Sequence, residues 1–534
     1  MLKVKNRDNL YFEGMHPWEN AVSAQKLALL KKSWAEIFRQ HILPQMPVAQ
    51  IARHFNKTQG RPTKELVSTC GASVLQQIFD LTDVETRDQL AFNQQWHYAL
   101  DVLAQQDQVL SLKTLWSMRN ILITDKSAKN IFNDTVDRLR EVYKVDTSLQ
   151  RLDSVHIHSN MARLGRVRLL ARVCTKFLLN LKRHHQAQYE SLPDSLKRRY
   201  EKENDSTYFG NSKPSESQKR LADIAQDMYE LTQTFKGDSD ICSLYSYKDL
   251  QRVFAEHCSI EDDSVIVKPN KEVPTDSLQN PSDRDATYDG HKGQGYQVQI
   301  METYSRESSE DNDSNSLELI TYIDVEAAHR HDSHALAPAL EETGQRDVLP
   351  DELQADSLYG SRDNQKKAKE RGVDLIAPLP GNKPKNNLVD FDFDPKTHEI
   401  KQCPQGHAPT KVKHNKKGTL TAIWAKEVCG TCPLFSSCSV RKAKSGYRLL
   451  YKHNEAEAAL HRRWEQSDEF KDKYRFRAGI EATNSRYIHM TGARRIRYRG
   501  LQRVDYAARL KAVGINMFRA AKFALTEAGN PCFA

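Results

Sequence analysis

Three segments of the chain alternate apolar and polar residues with a period of two: "RLDSVHIHS" at 151–159, "GYQVQIMETY" at 295–304 and "LELITYIDVEAA" at 317–328. A pleated strand needs that period, because successive side chains leave on opposite faces. The second and third are joined by the acidic, serine-rich "SRESSEDNDSNS" and predict a hairpin with a long tip. The first has no partner nearby. Strands on the far side of a long interruption must complete it, so the chain is constrained to a sheet threaded by an insertion. Two more strands, in "LQADSLYG" and "VDLIAPL", alternate with helical segments beginning near Ser333 and spanning Asn364 to Arg371. Strand, hairpin, helix, strand, helix, strand describes a mixed sheet flanked by helices, an α/β fold.

The rest of the sequence is divided around that sheet. At 534 residues the chain exceeds one ordinary core. Residues 1–18 form a tail whose "MLKVKNRDNLYFEG" resembles a protease-cleavage linker and stands outside the fold. From 19 to 148 apolar residues recur at three- and four-residue spacing, as in "AQKLALLKKSWAEIF" and "ELVSTCGASVLQQIFDL", which predicts an all-helical N-terminal domain. The sheet draws on 149–160 and 285–395. Between these parts, 161–284 reads as a helical insert ending in a loop, opening with the basic amphipathic "NMARLGRVRLLARVCTKFLLNLKRHH". A cysteine-bearing insert covers 396–445, and a C-terminal segment covers 446–525.

No apolar run is long enough to span a membrane, and no basic-then-apolar leader opens the chain, which predicts a cytoplasmic protein. No glycine-rich loop ending in Lys-Ser/Thr appears, so a nucleotide cofactor is not expected. The net charge of +9 is unevenly distributed. From Lys471 to Lys522 there are 14 Lys or Arg against three acids, a balance of +11 that leaves the remainder near −2. A basic excess confined to one segment is the footprint of a polyanion partner, double-stranded DNA being one; the alternative is a solvated helical face. Within it, Arg494, Arg495, Arg497 and Arg499 of "ARRIRYRG" alternate with small or apolar residues and are candidate phosphate contacts.

Three acids break the surrounding pattern. Asp153 sits mid-strand, where a lone charge is costly unless it faces a site. Asp356 lies at a strand end, where open α/β sheets carry functional groups. Glu481 stands in the basic "KYRFRAGIEATNSRYIH". On a continuous helix, Tyr474, Arg477 and Glu481 would share one stripe about 60° wide. Two Asp and one Glu on separate elements are the hard-oxygen set preferred by Mg²⁺ or Mn²⁺. Asp283 and Asp285 are alternatives to Asp153 because they lie nearer Asp356 in sequence. In "AHRHDSHAL" the expected job of Asp332 and Ser333 is helix capping, ahead of a second metal site, and Lys292 is a candidate phosphate contact.

Four of the nine cysteines are clustered. Cys403 in "CPQGH" is followed by Cys429, Cys432 and Cys438 in "CGTCPLFSSC", a spacing suited to a closed, structural Zn²⁺ site, with His407 as an alternative to Cys403. Pro and Gly beside the cysteines permit tight knuckle turns.

Across roughly 40–525, "LDSVHIHSNMARLGR", "HKGQGYQVQIMETY", "AHRHDSHALAPAL", "ADSLYGSRDNQKKAKERGVDLIAPL" and the Tyr-x2-Arg-x3-Glu of "YRFRAGIE" resemble the DDE-type transposases of bacterial insertion sequences. The resemblance implies a ribonuclease H-like core with Asp153, Asp356 and Glu481 as catalytic metal ligands. It also implies Tyr474 and Arg477 beside the scissile phosphate, and a homodimer synapsing terminal inverted repeats before strand transfer into target DNA. Such enzymes usually carry Lys seven positions after the glutamate, and this chain has Ile488 there. The alternatives are a catalytically inactive, zinc-containing DNA-binding repressor and a metal-dependent nuclease without strand transfer.

Overall fold

The computed structural model describes residues 2–4, 18–103, 108–200, 214–306, 316–381, 388–415, 418–444 and 446–527. The tail expected to stand outside the fold does dock on it where described: Lys3 exchanges hydrogen bonds with Thr63 and Leu66, and Leu2 packs on the core; the rest of the linker-like stretch and the tip of the predicted hairpin lie outside these residues.

At the centre is a six-stranded sheet. Its strands are β1 (Leu149–His158), β2 (Thr287–Asp289), β3 (Gly293–Thr303), β4 (Ile320–Ala327), β5 (Glu352–Ala355) and β6 (Asp374–Ile376). They run in the order β2-β3-β1-β5-β6, with β4 also paired to β3. β1 is antiparallel to β3 and parallel to β5, and β5 is parallel to β6. The strand that lacked a neighbour in sequence is therefore an inner one, hydrogen-bonded on both edges across the insertion. β3 is buried along its whole length. At Gly295 a Cβ would stand 2.0 Å from the carbonyl oxygen of Ile157, so glycine alone permits that crossing.

Each sheet face packs on a different set of helices. Val155, Ile157, Val298, Ile300 and Ile323 join one large core with the N-terminal helices and the C-terminal helix Leu501–Glu527. Leu66–Ile78 is buried at every position, and the C-terminal helix is nearly so over its central turns. Both fit a helix enclosed on all sides. The other face presents Leu152, Met301 and Tyr322 to a smaller core with Leu336–Gln345 and Arg362–Glu370. The long helix Arg166–His184 forms a separate core with Ile224, Met228 and Leu250 of the insert. The cysteine-bearing region has its own core too, around a four-stranded antiparallel sheet. No helix among the described residues is long and apolar enough to cross a membrane.

Two local expectations are corrected. The stretch expected to be loop before β2 contains the hairpin Cys258–Glu261 and Ser264–Val267. Its two-residue turn, Asp262-Asp263, has positive φ at both positions, which matches the twist of tight hairpins. The helix expected to carry Tyr474, Arg477 and Glu481 together is broken. Asp468–Tyr474 ends in the 3-10 turn Arg475–Ala478, and a new helix runs Gly479–Met490. Arg151 reaches the break: its Nη1 donates at 3.0 Å to the Phe476 carbonyl, which also accepts the Gly479 N–H in the 3-10 turn. A Cβ on Gly479 would come within 2.1 Å of the same nitrogen.

Candidate active site

The parallel pairing of β1 and β5 ends with Leu152 beside Ala355. One residue further, Asp153 and Asp356 follow on adjacent strands, where the sheet opens. The helix Gly479–Met490 crosses this opening and contacts β1. Asn484 Nδ2 donates to Asp153 Oδ2 at 3.1 Å. Arg477 binds two of the predicted acids at once, with Nη2 3.3 Å from Asp153 Oδ2 and Nη1 3.0 Å from Glu481 Oε1. Burial works against the charge on Arg477, but Asp153, Tyr474, Asp356 and Glu481 together more than offset it. Arg477 thus bridges Asp153 and Glu481, and the Asp356 charge is near enough to act on the same guanidinium. Glu481 remains 66% exposed in its side chain, while Asp153 is 12% exposed.

Burial pushes the Asp153 carboxyl up to about 6; Arg477 and the Ser154 N–H oppose the rise, and Asp356 and Asp332 add to it. Like charges held close in a partly dry setting favour a proton or a cation.

A buried ionic network anchors the crossing helix. Arg151 and Glu302 lie directly opposite each other on β1 and β3, with Nε 2.8 Å from Oε1. Arg519 of the C-terminal helix and the Thr483 hydroxyl both donate to Glu302 Oε2, at 2.8 and 2.6 Å. Glu302 is fully buried. A buried carboxylate paired and hydrogen-bonded on this scale holds its partners in one geometry.

The remaining predicted residues are distributed as follows. Tyr474 stacks on Phe470, ring centroids 5.1 Å apart, at the end of its own helix. Arg494, Arg495, Arg497 and Arg499 are exposed. Their segment docks on the end of β1, where the Arg494 carbonyl accepts the His158 N–H at 3.0 Å. Arg497 pairs with Asp80 at 3.4 Å, and Arg499 Nε reaches Asn160 at 3.0 Å. Asp283 and Asp285 have other partners: Asp283 accepts from Ser159, Tyr296 and the Gly500 N–H, and Asp285 accepts the Leu501 N–H. Lys292 is exposed, and its charge is felt by Asp332. The capping expected of Asp332 falls to His331, whose Nδ1 accepts the Ser333 N–H at 3.2 Å. Asp332 instead turns inward and is 6% exposed.

Cys403, Cys429, Cys432 and Cys438 line one small apolar cavity, together with His407. The knuckle turn is present after Cys403: the Gly406 N–H returns to its carbonyl at 2.8 Å, and Gly406 takes φ +79°. Burial and the three other sulfurs push the Cys429 thiol up to about 11. Among the described residues no three His, Cys, Asp or Glu side chains stand close enough together to hold a metal ion. Both clusters still fit their metals in donor chemistry, oxygen for Mg²⁺ and sulfur for Zn²⁺.

Sequence reasoning missed Asn484, Arg151 and Glu302. Asn484 lay within reach, three residues past Glu481 on one helical face. The Arg151–Glu302 pair depends on strand register and left no local signal.

Two family models match the chain. One is described as "Transposase DDE domain" and covers residues 402–521; the other, "Transposase domain (DUF772)", covers residues 26–120. No curated protein and no solved structure matches.

Proposed function

We propose that the chain, a DDE-type transposase of an insertion sequence as both family models support, cuts DNA at the element's ends and joins the freed 3′-hydroxyl to target DNA. The observation that carries this reading is the convergence of Asp153, Asp356 and Glu481 on Arg477. The strand order, an antiparallel hairpin flanking β1 and two parallel strands on its other side, supports a ribonuclease H-like core.

Asp153, Asp356 and Glu481 would hold two Mg²⁺ or Mn²⁺ ions. When bound, these ions lower the pKa of an attacking water or 3′-hydroxyl and stabilise the leaving oxygen of the phosphodiester. The chain's own residues supply orientation and charge. Asn484 fixes the rotamer of Asp153. Arg477, released from its carboxylates, offers a planar fork to a phosphate beside the scissile bond, with Tyr474 flanking the DNA end. Arg494, Arg495, Arg497 and Arg499 bind backbone phosphates without reading sequence. The four cysteines hold one structural Zn²⁺, and a homodimer brings two ends together. The domain divisions expected from sequence remain part of this reading.

The test is a cleavage and strand-transfer assay on duplex DNA carrying the element's ends, using Asp356→Ala and Glu481→Ala. Both variants should bind DNA and fail to cut. Normal cutting by either removes that residue from the active site. Cleavage without joined product in the unaltered protein favours the nuclease alternative.

A further inference from the structure

We propose that Asp332 is a positioning residue for the carboxylate site, acting through Gln299 and Tyr359 on the turn that carries Asp356; this rests on the metal-binding reading above. Asp332 follows β4 and lies in the short turn Asp332–His334. With His331 doing the capping, the Asp332 side chain is free to point inward. Its Oδ1 accepts the Gln299 Nε2 at 3.2 Å, and Ser154, the neighbour of Asp153, favours its charged form. The Gln299 oxygen in turn accepts the Tyr359 hydroxyl at 2.5 Å. The Tyr359 N–H closes the turn on the Asp356 carbonyl at 3.1 Å. A second tie runs in parallel: Asn364 Nδ2 donates to both the Ser333 and Tyr359 carbonyls at 2.9 Å. The turn after β4 and the turn after β5 are thus locked together beneath the opening of the sheet. Asp332, Gln299 and Tyr359 are all nearly inaccessible.

Gln299 is the pivot. Its amide could sit either way round, and an acceptor at Asp332 fixes the nitrogen toward itself and the oxygen toward Tyr359. Without that acceptor the amide loses its preferred orientation, and the Tyr359 hydroxyl loses a defined partner. The Asp356 turn is then held by backbone and Asn364 alone. Outer partners that orient metal ligands typically contribute about 10–100-fold to metal affinity.

The experiment measures Mn²⁺ binding to the folded full-length chain, by the EPR signal of free Mn²⁺, for four variants. Asp332→Ala and Tyr359→Phe should each weaken binding about tenfold. The double variant should be little worse than either alone, since both interrupt one path. Asp332→Asn keeps the acceptor oxygen and should restore binding to within about twofold of the unaltered chain. If Asp332→Ala does not fold, Tyr359→Phe, which removes one hydroxyl, still decides the matter. Unchanged Mn²⁺ affinity in Tyr359→Phe overturns the proposal, as does additivity in the double variant. Asp332→Asn binding as weakly as Asp332→Ala overturns it as well, by assigning the effect to charge. Asp356→Ala is the control. If it binds Mn²⁺ normally, the underlying metal site is wrong, a result distinct from failure of the positioning route.

Discussion

The carboxylates come from three elements spread over residues 153 to 481, whereas the four cysteines lie between residues 403 and 438. The first cluster opens toward solvent at Glu481 and has a guanidinium among its acids. The second lines an apolar cavity within its own small core. The carboxylates are kept in place by framework outside the site, the Arg151–Glu302–Arg519 network and the strand register, and their mutual repulsion works against the fold. The cysteines have little such framework. Their region relies on short strands and knuckle turns, so a bound ion would contribute directly to folding. One cluster is affordable only because the rest of the domain is stable, and the other, on the zinc reading proposed above, would stabilise the part that holds it.

The largest expected effect tests the first half of that contrast. Asp356→Ala or Glu481→Ala should reduce cleavage by about a thousandfold or more, the several kcal/mol that metal stabilisation supplies, with DNA affinity within about threefold. A matching loss of DNA binding would make these acids structural.

Next comes a difference in sign. The Asp153 carboxyl titrates at about 6 in the fold, above its ordinary value near 3.9. Its ionisation therefore costs no stability below pH ~3.9, and the cost is complete above pH ~6. Asp153→Asn should stabilise the metal-free protein at pH 7.5 by about 1–3 kcal/mol and have little effect at pH 3.5. Cys429→Ser should do the opposite. Zinc content should fall from one per chain to none, and amide exchange should accelerate in the cysteine-bearing sheet while that of β1 and β3 is preserved. Destabilisation by both variants would erase the distinction.

The smallest effects concern the arginines. Arg477→Lys should slow single-turnover cleavage by about tenfold or more while lowering affinity less, because the charge stays and the fork is lost. Arg497→Ala should reduce the salt slope of binding by about one unit, uniformly across sequences. Equal losses of rate and affinity in Arg477→Lys would make it one more surface contact.

Much of the site was legible because its signals were local. The alternation around Asp153 and the strand ending at Asp356 correspond to β1 and β5, and the cysteine spacing and its glycines recur in the cavity and its turn. The losses came where distant residues decide. Tyr474 and Glu481 were placed on one helix because nothing in "KYRFRAGIE" announces a break, or that Arg151, over 300 positions earlier, will donate to the Phe476 carbonyl there. Asp332 reads as a cap because Asp before an apolar run usually is one, and only the side chain of His331 displaces it from that job. Glu302 reads as a polar position on an alternating strand, yet it is completely buried because two arginines converge on it.

The insertion that separates β1 from its partners also sets a clock for biosynthesis. β1 ends at residue 158 and β6 at residue 376, so 218 further residues must be made before that edge of the sheet exists. At a ribosomal rate of about 5–20 residues per second, the wait is roughly 10–40 s. Until β3 is complete at residue 303 this interior strand has both edges unpaired, and the edge that β5 covers stays open until residue 355, a template for association with other chains. The insert emerges first and carries a self-contained core of its own, so it can fold while β1 waits. The helix Leu501–Glu527, which joins the N-terminal helices to one face of the sheet, is made after every strand of that sheet. The nascent chain therefore has no complete central core until that helix has been made.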